Sequence, residues 1–177
     1  MGLFLLTALP VLAAFAAYLF WAPDKRMNYG ELLTPVILPD ILVKTFDGKP
    51  FRVAETRGKW LLVRVGSGQC AEECVQQLFF LRQVRLMQGR EVDRVQRLWV
   101  LSDERMPDRR LVEAYSGMAV LSGTPVLLQA FGSSGDPAGS IFVVDPEGRV
   151  MLRFPPGADP LKASKDLARL LKVSHIG

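Results

Sequence analysis

The longest uninterrupted apolar stretch comes first. Gly2 to Trp21 reads GLFLLTALPVLAAFAAYLFW and carries no charge. About twenty helical residues at ~1.5 Å each cover ~30 Å, the thickness of a bilayer core. Tyr18 and Trp21 stand near its end, where aromatic rings favour the membrane interface. Asp24, Lys25 and Arg26 mark the return to water. A cleaved signal peptide competes, with Ala14 to Ala16 as a weak small-x-small site. The missing basic leader and the apolar residues beyond that site favour an uncleaved anchor. The chain therefore divides into an anchor at 1–22, a tether at 23–40 and a domain at 41–177.

The tether, NYGELLTPVILPD from Asn28 to Asp40, holds one Gly and two Pro and keeps no sustained period. From Ile41 the pattern becomes α/β. ILVKTFDGKPFRVAE predicts a hairpin turned at Asp47-Gly48. KWLLVRVG, Lys59 to Gly66, is a short apolar run and predicts a buried central strand. The next segment repeats apolar residues at three and four, through Cys70, Cys74, Leu78, Leu81, Val84 and Met87, which predicts a helix stopped near Gly89. VQRLWVLSD is a second strand, and Met106 to Tyr115 a helix opened by Pro107. AVLSGTPVLLQAF predicts a short strand, then a helix capped by Thr124 with Pro125 first inside it. SIFVVDPEGRVMLRF predicts a hairpin turned at Asp145 to Gly148. The last helix has Asp159 as cap, Pro160 at its start, and Leu161, Leu167, Leu170 and Leu171 as its inner face. This order, a crossover β-α-β followed by a hairpin and a final helix, describes an α/β fold. Its central sheet is thioredoxin-like and flanked by helices, and one N-terminal transmembrane helix precedes it.

Composition adds limits. The chain has 177 residues, 49% of them apolar, and a net charge of +4. The arginines are scattered without aromatic interleaving, so no nucleic-acid partner is expected. One histidine, His175, stands in the C-terminal tail, which excludes a Ser-His-Asp set built on any other imidazole. Two cysteines and one histidine are too few for a zinc site.

The candidate chemistry lies in VRVGSGQCAEECVQQL. Both cysteines of the chain, Cys70 and Cys74, sit there, four apart, after the first central strand. Loops at that end of the strands carry the sites of α/β sheets. A helix N-terminus lowers a thiol's pKa, while Glu72 and Glu73 oppose it. Three uses fit the pair: thiol–disulfide exchange with Cys70 attacking and Cys74 resolving, a two-thiolate hold on Cu(I), or a fixed crosslink. A crosslink closing so short a loop removes little unfolded-state entropy.

These segments resemble the Sco (SenC/PrrC) family. The likeness rests on the N-terminal anchor, GKWLLVRVGSGQCAEEC, VLSDERMPD, GTP at Gly123 to Pro125, and SIFVVDPEGRV, and runs from about residue 40 to 173. MNYGELL, RQVRLMQG and DLARLLK look like a divergent Sco-like branch. The resemblance implies a membrane-anchored thioredoxin-fold protein that helps assemble the copper centre of cytochrome c oxidase. It implies copper as candidate cofactor, Cys70 and Cys74 as candidate ligands, and an oxidase subunit or copper chaperone as protein partner. Residues 2–21 would contact membrane lipid. The place implied is the bacterial inner membrane, single-pass, with the domain on the periplasmic side, although the positive-inside rule alone would put Lys25 and Arg26 in the cytoplasm. The family's third ligand, a histidine before the last hairpin, falls at Gly139 here. Three-ligand copper chemistry is therefore not expected. Pro137 is the candidate cis-proline that thioredoxin-fold oxidoreductases place opposite their cysteines. A docking module with incidental cysteines is the remaining alternative.

Overall fold

The computed structural model describes residues 28–132 and 139–174, together with Pro10, Val11 and Phe15, which are helical. The bulk of the expected anchor, Pro137 and His175 lie outside the described residues. Among the described residues, no helix is long and apolar enough to cross a membrane.

Six strands form one mixed sheet. In chain order they are β1 (Glu31–Ile37), β4 (Trp60–Gly66), β5 (Val95–Leu101), β6 (Met118–Ser122), β7 (Ile141–Val144) and β8 (Arg149–Phe154), and their spatial order is β1-β8-β7-β4-β5-β6. β4, β5 and β6 run parallel, and β7, β8 and β1 are joined antiparallel. The small hairpin of β2 (Leu42–Lys44) and β3 (Pro50–Arg52) stands apart and touches the sheet through a bridge from Thr45 to Leu121. The helices are α1 (Glu72–Leu86), α2 (Arg109–Ala114), α3 (Pro125–Gly132) and α4 (Pro160–Val173). This is the expected thioredoxin-like α/β arrangement.

The alternation along β4 explains the layers. Leu61, Val63 and Val65 face one core with Leu127 and Phe131 of α3. Trp60 and Leu62 face the other, with Leu78, Leu81 and Val84 of α1 and Leu167 and Leu171 of α4. A strand apolar on both faces must be covered on both, which is why the Lys59–Gly66 run reads as continuous.

Four expectations are corrected. The tether supplies an edge strand: β1 pairs with β8, and its register shifts between Leu32 and Val36 around Pro35. Proline is tolerated there because an edge strand with a bulge needs fewer ladder donors. β1 is also clasped. The Gly30 N–H donates to buried Asp166 at 2.9 Å, and the Asp159 N–H donates to the Tyr29 hydroxyl at 2.9 Å. A Cβ on Gly30 would stand 2.8 Å from the Phe154 ring, so glycine permits this close approach.

Helix α1 starts at Glu72, leaving Cys70 outside it, because Ala71 is extended at the N-cap. Met87, expected on the inner face, is 47% exposed. Helix α2 starts at Arg109: Asp108 caps it by accepting the Arg110 N–H at 2.7 Å, and Pro107 lies before the helix. On α4, Asp159 caps and Pro160 opens as expected, yet Leu161 is 55% exposed and the buried residues are Ala163, Ser164, Asp166, Leu167 and Leu171. The close packing of α4 on the sheet admits small side chains, and its buried carboxylate serves the clasp on β1.

Candidate functional site

The site begins where β4 leaves the sheet. Gly66, Ser67, Gly68 and Gln69 lead from the strand to Cys70. Asp103, just after β5, holds this loop with two oxygens: Oδ2 accepts from the Ser67 hydroxyl at 2.6 Å and Oδ1 from the Gly68 N–H at 3.1 Å. The Arg105 guanidinium donates to the Gln69 side-chain carbonyl. Two loops that are far apart in sequence are thus stapled together. The Ser67 hydroxyl bond, helped by the Gly68 and Arg105 N–H groups and the Arg105 charge, holds the Asp103 carboxyl below its ordinary value; partial desolvation opposes it.

A depressed carboxylate contributes stability above its unfolded pKa and loses it as pH falls through the folded one. Acidification below the ordinary aspartate range is therefore expected to loosen the cysteine loop before the fold fails. Protection factors of the Gly68 and Gln69 amides, each corrected for the intrinsic exchange rate at that pH, should fall more between pH 6 and pH 3 than those of core amides. Asp103→Asn should already show the low protection at pH 6, and equal protection in both proteins would count against the staple.

Cys70 and Cys74 are joined in a disulfide, with their Cα atoms 5.1 Å apart. Cys70 is half-buried between loop and helix, whereas Cys74 is 5% exposed and belongs to the core against α1. No side chain caps the first turn of α1. Cys70 lies two residues before α1, where the positive end of a helix dipole favours a thiolate, while Glu72 and Glu73 in the first turn oppose it.

Beside Cys74 lies a groove of about 430 Å³ that holds a polar trio, buried at Arg64 and Gln77 and exposed at Glu73. Arg64 comes from the middle of β4, Gln77 and Glu73 from α1. The Arg64 Nε–H donates to Gln77 Oε1 at 2.7 Å, and its guanidinium lies 4.7 Å from the centroid of the Trp99 ring. Burial lowers the Arg64 pKa to about 10, with the Glu73 charge opposing, so the group is cationic at neutral pH. The trio meets Gly139 across the groove. Gly139 has φ +75°, and a Cβ there would lie 3.0 Å from Glu73 Oε1 and 3.2 Å from Pro156.

That geometry tests the three-ligand copper set. Gly139 offers no donor, its left-handed backbone disfavours any side chain, and a Cβ there would crowd the Glu73 carboxylate and Pro156. The residues present do not fit a two-cysteine, one-histidine site. Among the described residues, no group of three or more His, Cys, Asp and Glu side chains is placed to hold a metal ion. Gly139→His should therefore lower stability by about 2–3 kcal/mol, of which ~1–2 comes from the left-handed backbone. It should add no Cu(II) absorption band. A melting curve and a Cu(II) titration check both, and a new charge-transfer band with unchanged melting would refute the account.

The structure thus brings Cys70 and Cys74 together and places Gly139 beside them. Arg64, Gln77 and Asp103 were missed as site residues. Arg64 had a signal: a lone cation in the centre of an apolar strand must find compensation when buried. Asp103 had none, because its partners lie more than thirty positions away.

Residues 60–174 match the profile of the family described as transmembrane-like, thioredoxin-like, C-terminal domain. The chain belongs to that family. It is a divergent Sco-like member of the thioredoxin fold. The apo Sco1 protein of Thermus thermophilus is similar at 26% identity and a TM-score of 0.60, over 84% of this chain and 98% of that one. Yeast Sco1 with copper bound is similar at 16% identity and 0.64, over 80% and 96%. A thiol:disulfide interchange protein of the thioredoxin family from Chlorobium tepidum is similar at 24% identity and 0.53, over 79% and 96%. No curated protein matches the chain in sequence.

Proposed function

We propose that this transmembrane-like, thioredoxin-like protein is a membrane-tethered thiol–disulfide factor in the assembly of the copper centre of cytochrome c oxidase. The observation that carries the proposal is the Cys70–Cys74 disulfide at an uncapped helix start, opening on a groove with a buried cation. In this reading residues 1–22 anchor the chain in the bacterial inner membrane, and the domain, with β1 at the edge of its sheet, lies on the periplasmic side, where disulfides persist. Likeness to Sco proteins supports the assembly role, with an oxidase subunit or a copper chaperone as partner.

The chemistry follows from the two burials. In the reduced protein, the Cys70 thiolate attacks one sulfur of a partner disulfide and the other partner sulfur leaves as a thiol. Cys74 then loses its proton and attacks the Cys70 sulfur of the mixed disulfide. The partner is released with two thiols, and this protein holds the bond seen here. A second dithiol protein returns two electrons and two protons to close the cycle. The buried Cys74 is suited to resolving, because bulk solvent and competing thiols do not reach it.

The second reading is a Cu(I) carrier through both thiolates, favoured by the likeness to copper-bound Sco1. Redox titration of the full chain against a glutathione or dithiothreitol couple separates the two. The expected potential lies well above about −300 mV, whereas structural disulfides lie below it. A value below that limit would rule out exchange. In parallel, Cu(I) titration of the reduced chain against a chelator, with C70A/C74A as control, decides the carrier reading: equal binding by both proteins removes it.

A further inference from the structure

Two arginines are buried on one face of the sheet, Arg64 on β4 and Arg97 on β5. Their surroundings differ. Arg64 has Gln77, the Glu73 charge and the Trp99 ring. Among the described residues, Arg97 has one hydrogen bond, from Nη2 to the Ser116 carbonyl at 2.6 Å, and both its buried Nε and Nη1 have no partner, whereas Arg64 leaves only Nη1 without one. A buried cation normally pairs with a carboxylate, and one left uncompensated is strongly unfavourable. Here the nearby charges are more cations. Burial first, then Arg85 and Arg82 of α1, push the Arg97 pKa down, with Tyr115 opposing.

Exposed Arg82, half-buried Arg85 and buried Arg97 line one surface pocket of about 200 Å³ together with Leu86, Tyr115 and Ser116. Among the described residues no carboxylate lines it. Arg85 commits its Nε to the Val95 carbonyl at 2.7 Å. Its nearest acid, Asp93, stands 3.9 Å away with a side chain 91% exposed, so it leaves the pocket strongly positive.

We propose that this cavity binds a phosphate group, with Arg97 as its floor and Arg82, Arg85 and Tyr115 around its mouth. A tetrahedral oxyanion presents several oxygens to separate guanidinium donors, and its negative charge offsets part of the three positive ones. Chloride carries a single charge and has no separate oxygens to present to several donors. The pocket is distinct from the cysteine groove: Arg82 and Arg85 lie eight to eleven residues beyond Cys74 on α1, roughly 12–17 Å along the helix. The phosphate comes either free in solution or on a lipid headgroup, and the recognition chemistry is the same for both.

The test is thermal unfolding of the full chain. One arm adds inorganic phosphate against sodium chloride of equal ionic strength. The other compares phosphatidylcholine vesicles with and without phosphatidic acid. A rise in melting temperature of roughly 3–6 °C is expected near ten times Kd, specific to phosphate in one arm or to phosphatidic acid in the other. R82Q/R85Q, which changes the mouth and spares the buried Arg97, should lose most of that rise. A response in the first arm identifies free phosphate as sufficient; one confined to the second identifies a lipid source. No phosphate-specific rise in either arm, or an undiminished rise in R82Q/R85Q, overturns the proposal. The outcome is independent of the potential and copper affinity of the cysteine pair.

Discussion

Replacing Gly68 by alanine is expected to lower the melting temperature by roughly 6–12 °C, corresponding to about 3 kcal/mol or more for a chain of this size. The cause is a close approach and not backbone freedom. A Cβ at Gly68 would overlap the Arg105 carbonyl oxygen and its carbon, and both belong to backbone. Neither side can yield cheaply. The Gly68 N–H is held by Asp103, and the Arg105 N–H donates to the same carboxylate at 3.3 Å. Gly48→Ala separates overlap from strain. Gly48 has φ +77° but nothing within 4 Å of a Cβ, so only the left-handed penalty of ~1–2 kcal/mol applies there. Melting of the two variants should differ clearly, with G68A the lower and its cysteine pair displaced. If G68A melts like the parent, the two loops are not packed as described.

Replacing Arg64 by methionine is expected to raise the pKa of the Cys70 thiol by about one unit and to move the disulfide potential by about 30 mV toward more negative values. The Arg64 guanidinium lies in the groove that Cys74 lines, and two unit charges about 10 Å apart attract by about 1.5–2 kcal/mol at an effective dielectric near 20. For a two-electron couple, 1.4 kcal/mol corresponds to about 30 mV. The sign follows from which state carries the charge. Only the reduced pair forms a thiolate, so removing the cation disfavours reduction. Arg64→Lys keeps the charge and should keep the potential, while losing the planar contact with Trp99. The pH dependence of iodoacetamide labelling of the reduced chain reads the pKa, and the redox titration reads the potential. If R64M and R64K shift equally, Arg64 acts by packing and not by charge.

The order of elements was legible because each carries its own local signal. The Asp47-Gly48 and Asp145 to Gly148 turns, Thr124 before Pro125, and Asp159 before Pro160 all sit where the structure has them. Their hydrogen bonds close within a few residues: Leu127 N–H to Thr124 Oγ1 at 3.3 Å, and Leu161 N–H to Asp159 Oδ1 at 2.8 Å. β1 was not legible. Its one proline, Pro35, and its edge position suppress the alternation that marks a strand, and its partner β8 lies over a hundred residues away. The start of α1 was missed by two residues because Cys70 continues the helical spacing although its backbone does not.

The same division runs through the site. Sequence alone determined the thioredoxin-like order and the placing of Cys70 and Cys74 four apart after the first central strand, while the missing third ligand at Gly139 followed from the Sco resemblance. The first two depend on residue identity and short spacing. Only the tertiary structure decided what surrounds the cysteines. Arg64, Glu73 and Gln77 meet Gly139 because β4, α1 and the segment before β7 converge at one end of the sheet. Asp103 reaches the cysteine loop because parallel β4 and β5 deliver their C-terminal loops side by side. The uncompensated cluster around Arg97 arises in the same way, from cations on a strand and a helix that are separate in the chain and adjacent in the fold. Such charges are ordinary in a sequence. Burial of Arg64 and Arg97, with the other charges brought beside them by the fold, is what gives them a role.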